Sequence, residues 1–256
     1  MEQAIARLGN SILDRLSQVG SDERILVGVA GVPGSGKSTL AYPLVDYLNE
    51  ALERRAVPET TRPAARAKAV SLDGWHHTRQ ELDAFPDPVE ARRRRGAAFT
   101  FDAQAYVSFV RALRDRPSSP LRDDSIETPA LMLRFPIFSH AVKDPTDAPE
   151  PLDLARDRIV VVEGLYTLLK IEPWSDATNA LDFKVWVECP PAVARARLIE
   201  RHLESGIEPD PESATRRVDG SDMVNGDFVR THSAVEKVDF RLDSVDDPAF
   251  ANSHPQ

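Results

Sequence analysis

"RILVGVAGVPGSGKST", Arg24 to Thr39, joins a nearly continuous apolar run to a glycine-rich turn. A run such as Ile25 to Ala30, with no polar alternation, is the pattern of a strand buried on both faces of a parallel sheet. The turn that follows, "GVPGSGKST", fits G-x-x-x-x-G-K-[ST]. Average residue frequencies give about a 1% expectation of one such match in a chain of this size. The context is also the one the chemistry requires, after a buried strand and at the start of a helix. Gly31, Val32, Pro33, Gly34, Ser35, Gly36, Lys37, Ser38 and Thr39 are therefore expected to turn backbone N–H groups around phosphate oxygens, aided by the positive end of the helix dipole. In such a loop Lys37 reaches the β- and γ-phosphates of a nucleotide and Ser38 ligates Mg²⁺.

Outward from this stretch, strands alternate with helices. Ile5, Leu8, Ile12, Leu13 and Leu16 recur at helical spacing, which predicts an amphipathic helix over 2–18. Lys37 to about Arg55 reads as a helix with Pro43 in its second turn. "AVPETTRP" (56–63) is a loop, and "AKAVSLD" is a second strand ending at Asp73. "QAYVSFVRALRD" is a helix and "RPSSPLRDDSIETP" (116–129) a surface connection rich in turn formers. "RIVVVEG", Arg158 to Gly164, and "FKVWVEC" are buried strands. "PAVARARLIERHLES" is a basic helix with Pro191 at its start, and "KVDFRLDSV" is a weaker last strand. The alternation predicts an α/β fold, a mostly parallel sheet with helices on both faces. The expected organisation is an N-terminal helix over 1–20, one nucleotide-binding domain over 21–245 and a flexible tail over 246–256.

Composition narrows the function classes. With 256 residues, 41% hydrophobic and 29% charged, the chain can bury a full core as one domain. A net charge of −9 disfavours nucleic acid and anionic membranes as partners, since both are bound through a basic surface field. A small polar substrate fits better. Cys189 is the single cysteine, so no intramolecular disulfide forms, and its place at the end of an apolar run reads as a buried structural thiol. No apolar run approaches the ~18 residues of a spanning helix, and the N-terminus lacks the apolar core of a secretory signal. The expected location is cytoplasmic.

Two further segments carry chemistry. Glu163 in "VVVEG" ends a buried strand, where a carboxylate can hold Mg²⁺ directly or through water. "SLDGWHH", Ser71 to His77, sets Asp73 ahead of two of the six histidines. Adjacent histidines point in different directions and neither HExxH nor a cysteine cluster accompanies them, so zinc is disfavoured and oxygen-bound Mg²⁺ is the metal expected. Three classes use a phosphate loop: a GTPase-like switch, an ATPase acting on a partner, and a small-molecule kinase. The guanine-reading N-K-x-D pattern is absent; the nearest fragments are "ATNA" and "MVNG". A kinase needs in addition a base beside the acceptor hydroxyl and cations over the moving phosphoryl group.

"GVPGSGKS", "LDGWHH", "RRRRGAAFTFD", "FPIFSHAVKDP", "VVVEG" and "RARLIERH", in that order over Ile25 to Val229, resemble the uridine kinase, phosphoribulokinase and bacterial-type pantothenate kinase family. In detail the chain looks closest to members of unsettled substrate, some named as fructose-transport kinases or uridine kinase-like fungal proteins. The resemblance implies an ATP- and Mg²⁺-dependent phosphotransferase with a five-stranded core, a helical lid over about 195–230, a small-molecule hydroxyl acceptor, and a homodimer as an allowed assembly.

Carried over by position, Asp73 matches the general base, Asp102 the acidic residue that binds acceptor hydroxyls, and His140 a substrate-contacting histidine. Arg197 and Arg201 match lid arginines, and their i, i+4 spacing sets both on one helix face. Phe138 reads as a wall of the acceptor pocket and Trp75 as core. His76 stands where nucleoside kinases of the family keep a tyrosine, which makes it a candidate substrate contact and argues against uridine itself. His77, Arg92 to Arg95, Arg216 and Arg217 read chiefly as solvated. The rival from another class is an ATPase serving a protein partner, which has no need for Asp73, Asp102 and His140.

Overall fold

The computed structural model of the chain describes residues 1–55, 64–115, 132–139, 141–146 and 148–245. The anticipated loop 56–63, the connection 116–129, His140 and the tail 246–256 lie outside the described residues.

Five strands form the sheet: β1 (Ile25–Gly31), β2 (Arg66–Ser71), β3 (Asp157–Glu163), β4 (Phe183–Glu188) and β5 (Phe240–Asp243). Their order is β2-β3-β1-β4-β5, and every neighbouring pair is parallel. The helices are α1 (Glu2–Gln18), α2 (Lys37–Arg55), α3 (Ala103–Asp115), α4 (Trp174–Asn179), α5 (Pro191–Glu204), α6 (Pro211–Arg217) and α7 (Met223–His232), with short turns of helix at Arg79–Leu82 and Pro88–Arg93.

The apolar runs are continuous because both faces of the sheet are covered. Leu26 and Ala30 of β1, Val160 and Val162 of β3, and Trp186 of β4 join a core with Tyr106 and Val110 of α3 and Trp174 of α4. Their neighbours Ile25, Val27, Val29, Ile159, Val161, Val185 and Val187 point to the other face, against Leu8 and Ile12 of α1 and Leu44 and Leu48 of α2. Pro43 interrupts the hydrogen bonding of α2, a cost of about 3 kcal/mol. Fully buried Leu40, Leu44 and Leu48 stabilise by roughly 1.5–3 kcal/mol each, so the helix runs through. No helix among the described residues is long and apolar enough to cross a membrane.

Two features depart from the sequence expectations. The second strand ends at Ser71 and not at Asp73, because Leu72–Trp75 turns as a 3₁₀ helix whose Asp73 N–H donates to Ser71 Oγ at 3.3 Å. The turn approaches its neighbour closely enough that a side chain on Gly74 would collide with the Pro136 carbonyl. Between α3 and β3 the chain also forms two antiparallel ribbons, Met132–Phe135 with Glu150–Asp153 and Phe138–Ser139 with Asp144–Pro145. Their strands have two to four residues and carry Pro145 and Pro151, so no alternating pattern marks them in sequence.

β1 has β3 on one side and β4 on the other, so the order reverses around it. Open parallel sheets leave a crevice at such a point, outside the carboxyl ends of the strands. Three of those ends lie together here: the loop after β1, the turn after β2 and Glu163 closing β3.

Candidate active site

The phosphate loop runs from the end of β1 into α2. Gly34 and Gly36 adopt φ of 74° and 86°, the left-handed region where a side chain is strained, and this curls the loop back over the helix start. Lys37 Nζ donates to the Val32 carbonyl at 3.0 Å. Burial pushes the Lys37 ammonium down to about 8; Arg201 pushes the same way, while Glu163 and Asp73 hold it up. Ser38 Oγ donates to Glu163 Oε2 at 3.2 Å. Glu163 is 5% exposed, and burial followed by the charge of Asp73 raises its pKa above the ordinary value. Parallel pairing sets Glu163 beside Ser71 of β2 and Val29 of β1. These are the metal-ligating candidates, Ser38 and Glu163, brought together with Lys37 and Asp73. Among the described residues no group of three or more His, Cys, Asp or Glu side chains could hold a metal on its own.

The turn after β2 presents Asp73 half-exposed at 46% of its side chain. His76 Nδ1 lies 2.8 Å from the Asp73 main-chain oxygen. A carbonyl only accepts, so Nδ1 carries the proton and Nε2 is left as an acceptor. Burial lowers the pKa of His76, which keeps the ring neutral. Its face lies 3.9 Å from the Phe101 ring and 5.2 Å from that of Phe138 between centroids, so both walls of this corner are aromatic. Trp75 is core, as expected, at 4% exposure.

The other predicted residues divide. Asp102 is exposed and its Oδ1 accepts the Ala105 N–H at 2.9 Å, capping α3. Its own N–H bonds the Trp75 carbonyl at 2.8 Å, which holds it next to the Asp73 turn. Arg197 is engaged with the protein: Nη1 donates to the Gly34 carbonyl at 3.2 Å and to Ser244 Oγ at 2.6 Å, linking α5 to the phosphate loop and to the segment after β5. Arg201, one turn on, is close enough to Lys37 to depress its pKa. Gly226 of α7 sits against Val32 and Pro33, so the helical segment rests on the phosphate loop.

The arginine run is not uniformly solvated. Arg92 and Arg93 pair with Asp83 and Glu90 on the surface. Arg94 Nη2 donates to buried Asn225 of α7 at 3.1 Å, and Arg95 binds Asp144 and the carbonyls of His77 and Lys143.

Sequence reasoning missed three side chains that share a cleft with Asp73: Tyr42, Lys68 and Glu150. Tyr42 follows Ser38 by four residues, hence on the same face of α2; its phenol is pushed up to about 12 by burial and then by Glu163, Asp73 and Glu150. Lys68 of β2 pairs with Glu150 of the first ribbon. A cleft of about 470 Å³ lies between them, lined among others by Tyr42, Lys68, Asp73, Phe138 and Glu150. The i+4 spacing of Tyr42 was readable; a contact across 82 residues was not.

No family model matches the chain. A candidate uridine kinase of Schizosaccharomyces pombe is 38% identical over 210 residues, covering 81% of this chain and 78% of that protein. The ATP-dependent kinase YFH7 of Lachancea thermotolerans is 30% identical over 232 residues, covering 81% of this chain and 62% of that protein. Among solved structures, a candidate fructose transport system kinase from Silicibacter sp. TM1040 superposes with a TM-score of 0.73 at 26% identity, covering 93% of this chain and 98% of that one. With that identity and coverage, and with a phosphate loop, a strand-end glutamate and an aspartate turn around one crevice, the chain belongs to the uridine kinase and phosphoribulokinase family of P-loop kinases.

Proposed function

We propose that the protein transfers the γ-phosphoryl group of ATP to a hydroxyl of a nucleoside, sugar or related polyol, with Asp73 as general base. The observation that carries this reading is the position of Asp73. It shares a neighbourhood with Lys37 and Glu163 and also lines the cleft. A carboxylate so placed can accept the proton of an acceptor hydroxyl as its oxygen attacks phosphorus, a contribution of about 10²–10⁴ in rate. An ATPase serving a protein partner has no use for such a cleft.

The phosphate loop suits a polyphosphate: Ser35 Oγ is buried there with no protein partner, and Lys37 is a desolvated cation. The donor set suits Mg²⁺. Ser38 and Glu163 offer hard oxygens, and Glu163 and Asp73 raise each other's negative potential with Lys37 as the nearby cation. Mg²⁺ held by Ser38 and Glu163 would neutralise charge on the phosphate oxygens. Lys37 would orient the β- and γ-phosphates, and Arg201 would add positive charge from α5. Arg197 would serve there by steadying the Gly34 carbonyl, and His76, Phe138 and Asp102 would bound the acceptor.

The test is ADP release measured over nucleosides, ketoses, polyols, pentose phosphates, glycerate and pantothenate. Acceptor-dependent ADP release, with the new phosphate ester identified by mass, is the expected result. Release that no acceptor stimulates would favour the ATPase.

A further inference from the structure

Among the described residues, each cation lining the cleft beside Asp73 is already held by a carboxylate. Lys68 Nζ is ion-paired with Glu150 Oε1 and lies 6.0 Å over the Phe135 ring. Arg66, also in the lining, is bound at 2.6 and 3.1 Å by both oxygens of Asp157, a carboxylate with no exposed side-chain surface. Arg95, outside the lining but 5.7 Å over the ring of its Phe138, is paired with Asp144. Against these stand two carboxylates with reachable oxygens, Asp73 at 46% and Glu150 at 40% side-chain exposure.

Charge decides what can enter. A phosphate or carboxylate group on the acceptor would meet two carboxylates and would have to break a pair to gain a cation. A neutral polyhydroxylated molecule meets no such cost: its hydroxyls donate to the carboxylates, and its apolar face lies on Phe135, Ile137 and Phe138. About 470 Å³ is room for a molecule of nucleoside or hexose size.

Resting on the kinase reading above, we infer that Glu150, oriented by Lys68, is a specificity-determining residue that binds acceptor hydroxyls at the end of the cleft away from phosphoryl transfer, and that the acceptor carries no anionic group. Glu150 reaches the cleft because the first ribbon pairs it with Phe135, and Lys68 fixes its carboxylate from the edge strand. Tyr42 lines the same cleft, near enough to Asp73 and Glu150 for both to raise its pKa.

The test compares wild type and Glu150→Gln with two sets of probes. Nucleosides, free hexoses and pentitols form the neutral set; pentose phosphates, glycerate and pantothenate form the anionic set. ADP release by the wild type is expected to rise with a neutral probe and with no anionic one. Glu150→Gln, which keeps the shape and can still accept from Lys68, should raise the acceptor KM about tenfold while kcat changes less than about threefold. If an anionic probe is the better acceptor for the wild type, this inference fails and the kinase reading stands. A neutral acceptor whose KM is the same in wild type and Glu150→Gln removes the role of Glu150. If no probe of either set raises ADP release, the kinase reading itself fails and takes this inference with it.

Discussion

His76 donates from Nδ1 to the main-chain oxygen of Asp73 across 2.8 Å, with its ring against Phe101. The histidine read in sequence as a candidate substrate contact also braces, largely shielded from solvent, the turn that carries Asp73. His76→Phe keeps the ring contacts and deletes the donor. It should cost about 0.5–1.5 kcal/mol in urea unfolding, because the Asp73 oxygen retains the His76 backbone N–H at 3.2 Å. If the Nε2 acceptor also meets the substrate, the acceptor KM should rise more than kcat falls.

Asp102 combines two demands that a substitution can separate. Its carboxylate caps α3, a role serine fills nearly as well. Asp102→Ser should therefore leave the unfolding free energy within about 0.5 kcal/mol of wild type in denaturant titration. A role in holding acceptor hydroxyls predicts an acceptor KM at least about tenfold higher in the same variant. An unchanged KM would assign Asp102 to the cap alone.

The depressed pKa of Lys37 gives nucleotide binding a pH slope with a definite sign. Burial pushes the Lys37 ammonium of the free protein down to about 8, so its charge is lost as pH rises through that range. Phosphate oxygens raise that pKa, so the complex binds more protons than the free protein above pH 8 and affinity must fall as pH rises through it. Calorimetry should show ATP bound about tenfold more weakly near pH 9 than near pH 7. Lys37→Arg, charged throughout, should flatten the slope even where its affinity is lower.

Arg24 is the structural counterpart of these charged groups. It is 3% exposed and donates to the carbonyls of Asp157 at 2.9 Å, Leu113 at 2.6 Å and Leu154 at 2.8 Å, tying the start of β1 to the end of α3 and the start of β3. Burial lowers its pKa to about 10, so it remains charged at neutral pH. Arg24→Met strands three acceptors and should destabilise by about 3 kcal/mol or more in denaturant unfolding.

Arg24 also marks where sequence reasoning stops. It reads as the polar flank of the run Ile25 to Ala30, and nothing local announces partners 89 and 130 residues away. The frame itself was readable, because a strand buried on both faces must be apolar throughout and a phosphate loop must follow such a strand. Glu163 and Asp73 were readable as carboxylates at the ends of two more strands, although the turn that carries Asp73 was mistaken for strand. The ribbons were hidden by prolines, and with them the pairing of Lys68 with Glu150. Thr78 and Glu81 form a capping box that the T-x-x-E spacing does announce, but the helix it starts has four residues and no apolar period to go with it. The four arginines Arg92 to Arg95 read as one solvated face; in the structure two are surface pairs and two fix elements to one another.

The most direct test of the central claim is acceptor phosphorylation and ATP affinity measured together in Asp73→Asn and Lys37→Ala. Asp73→Asn should lower phosphorylation of the acceptor by about 10²–10⁴ while ATP binds as before, and Lys37→Ala should abolish turnover. Phosphorylation left intact in Asp73→Asn while Lys37→Ala is inactive would contradict it.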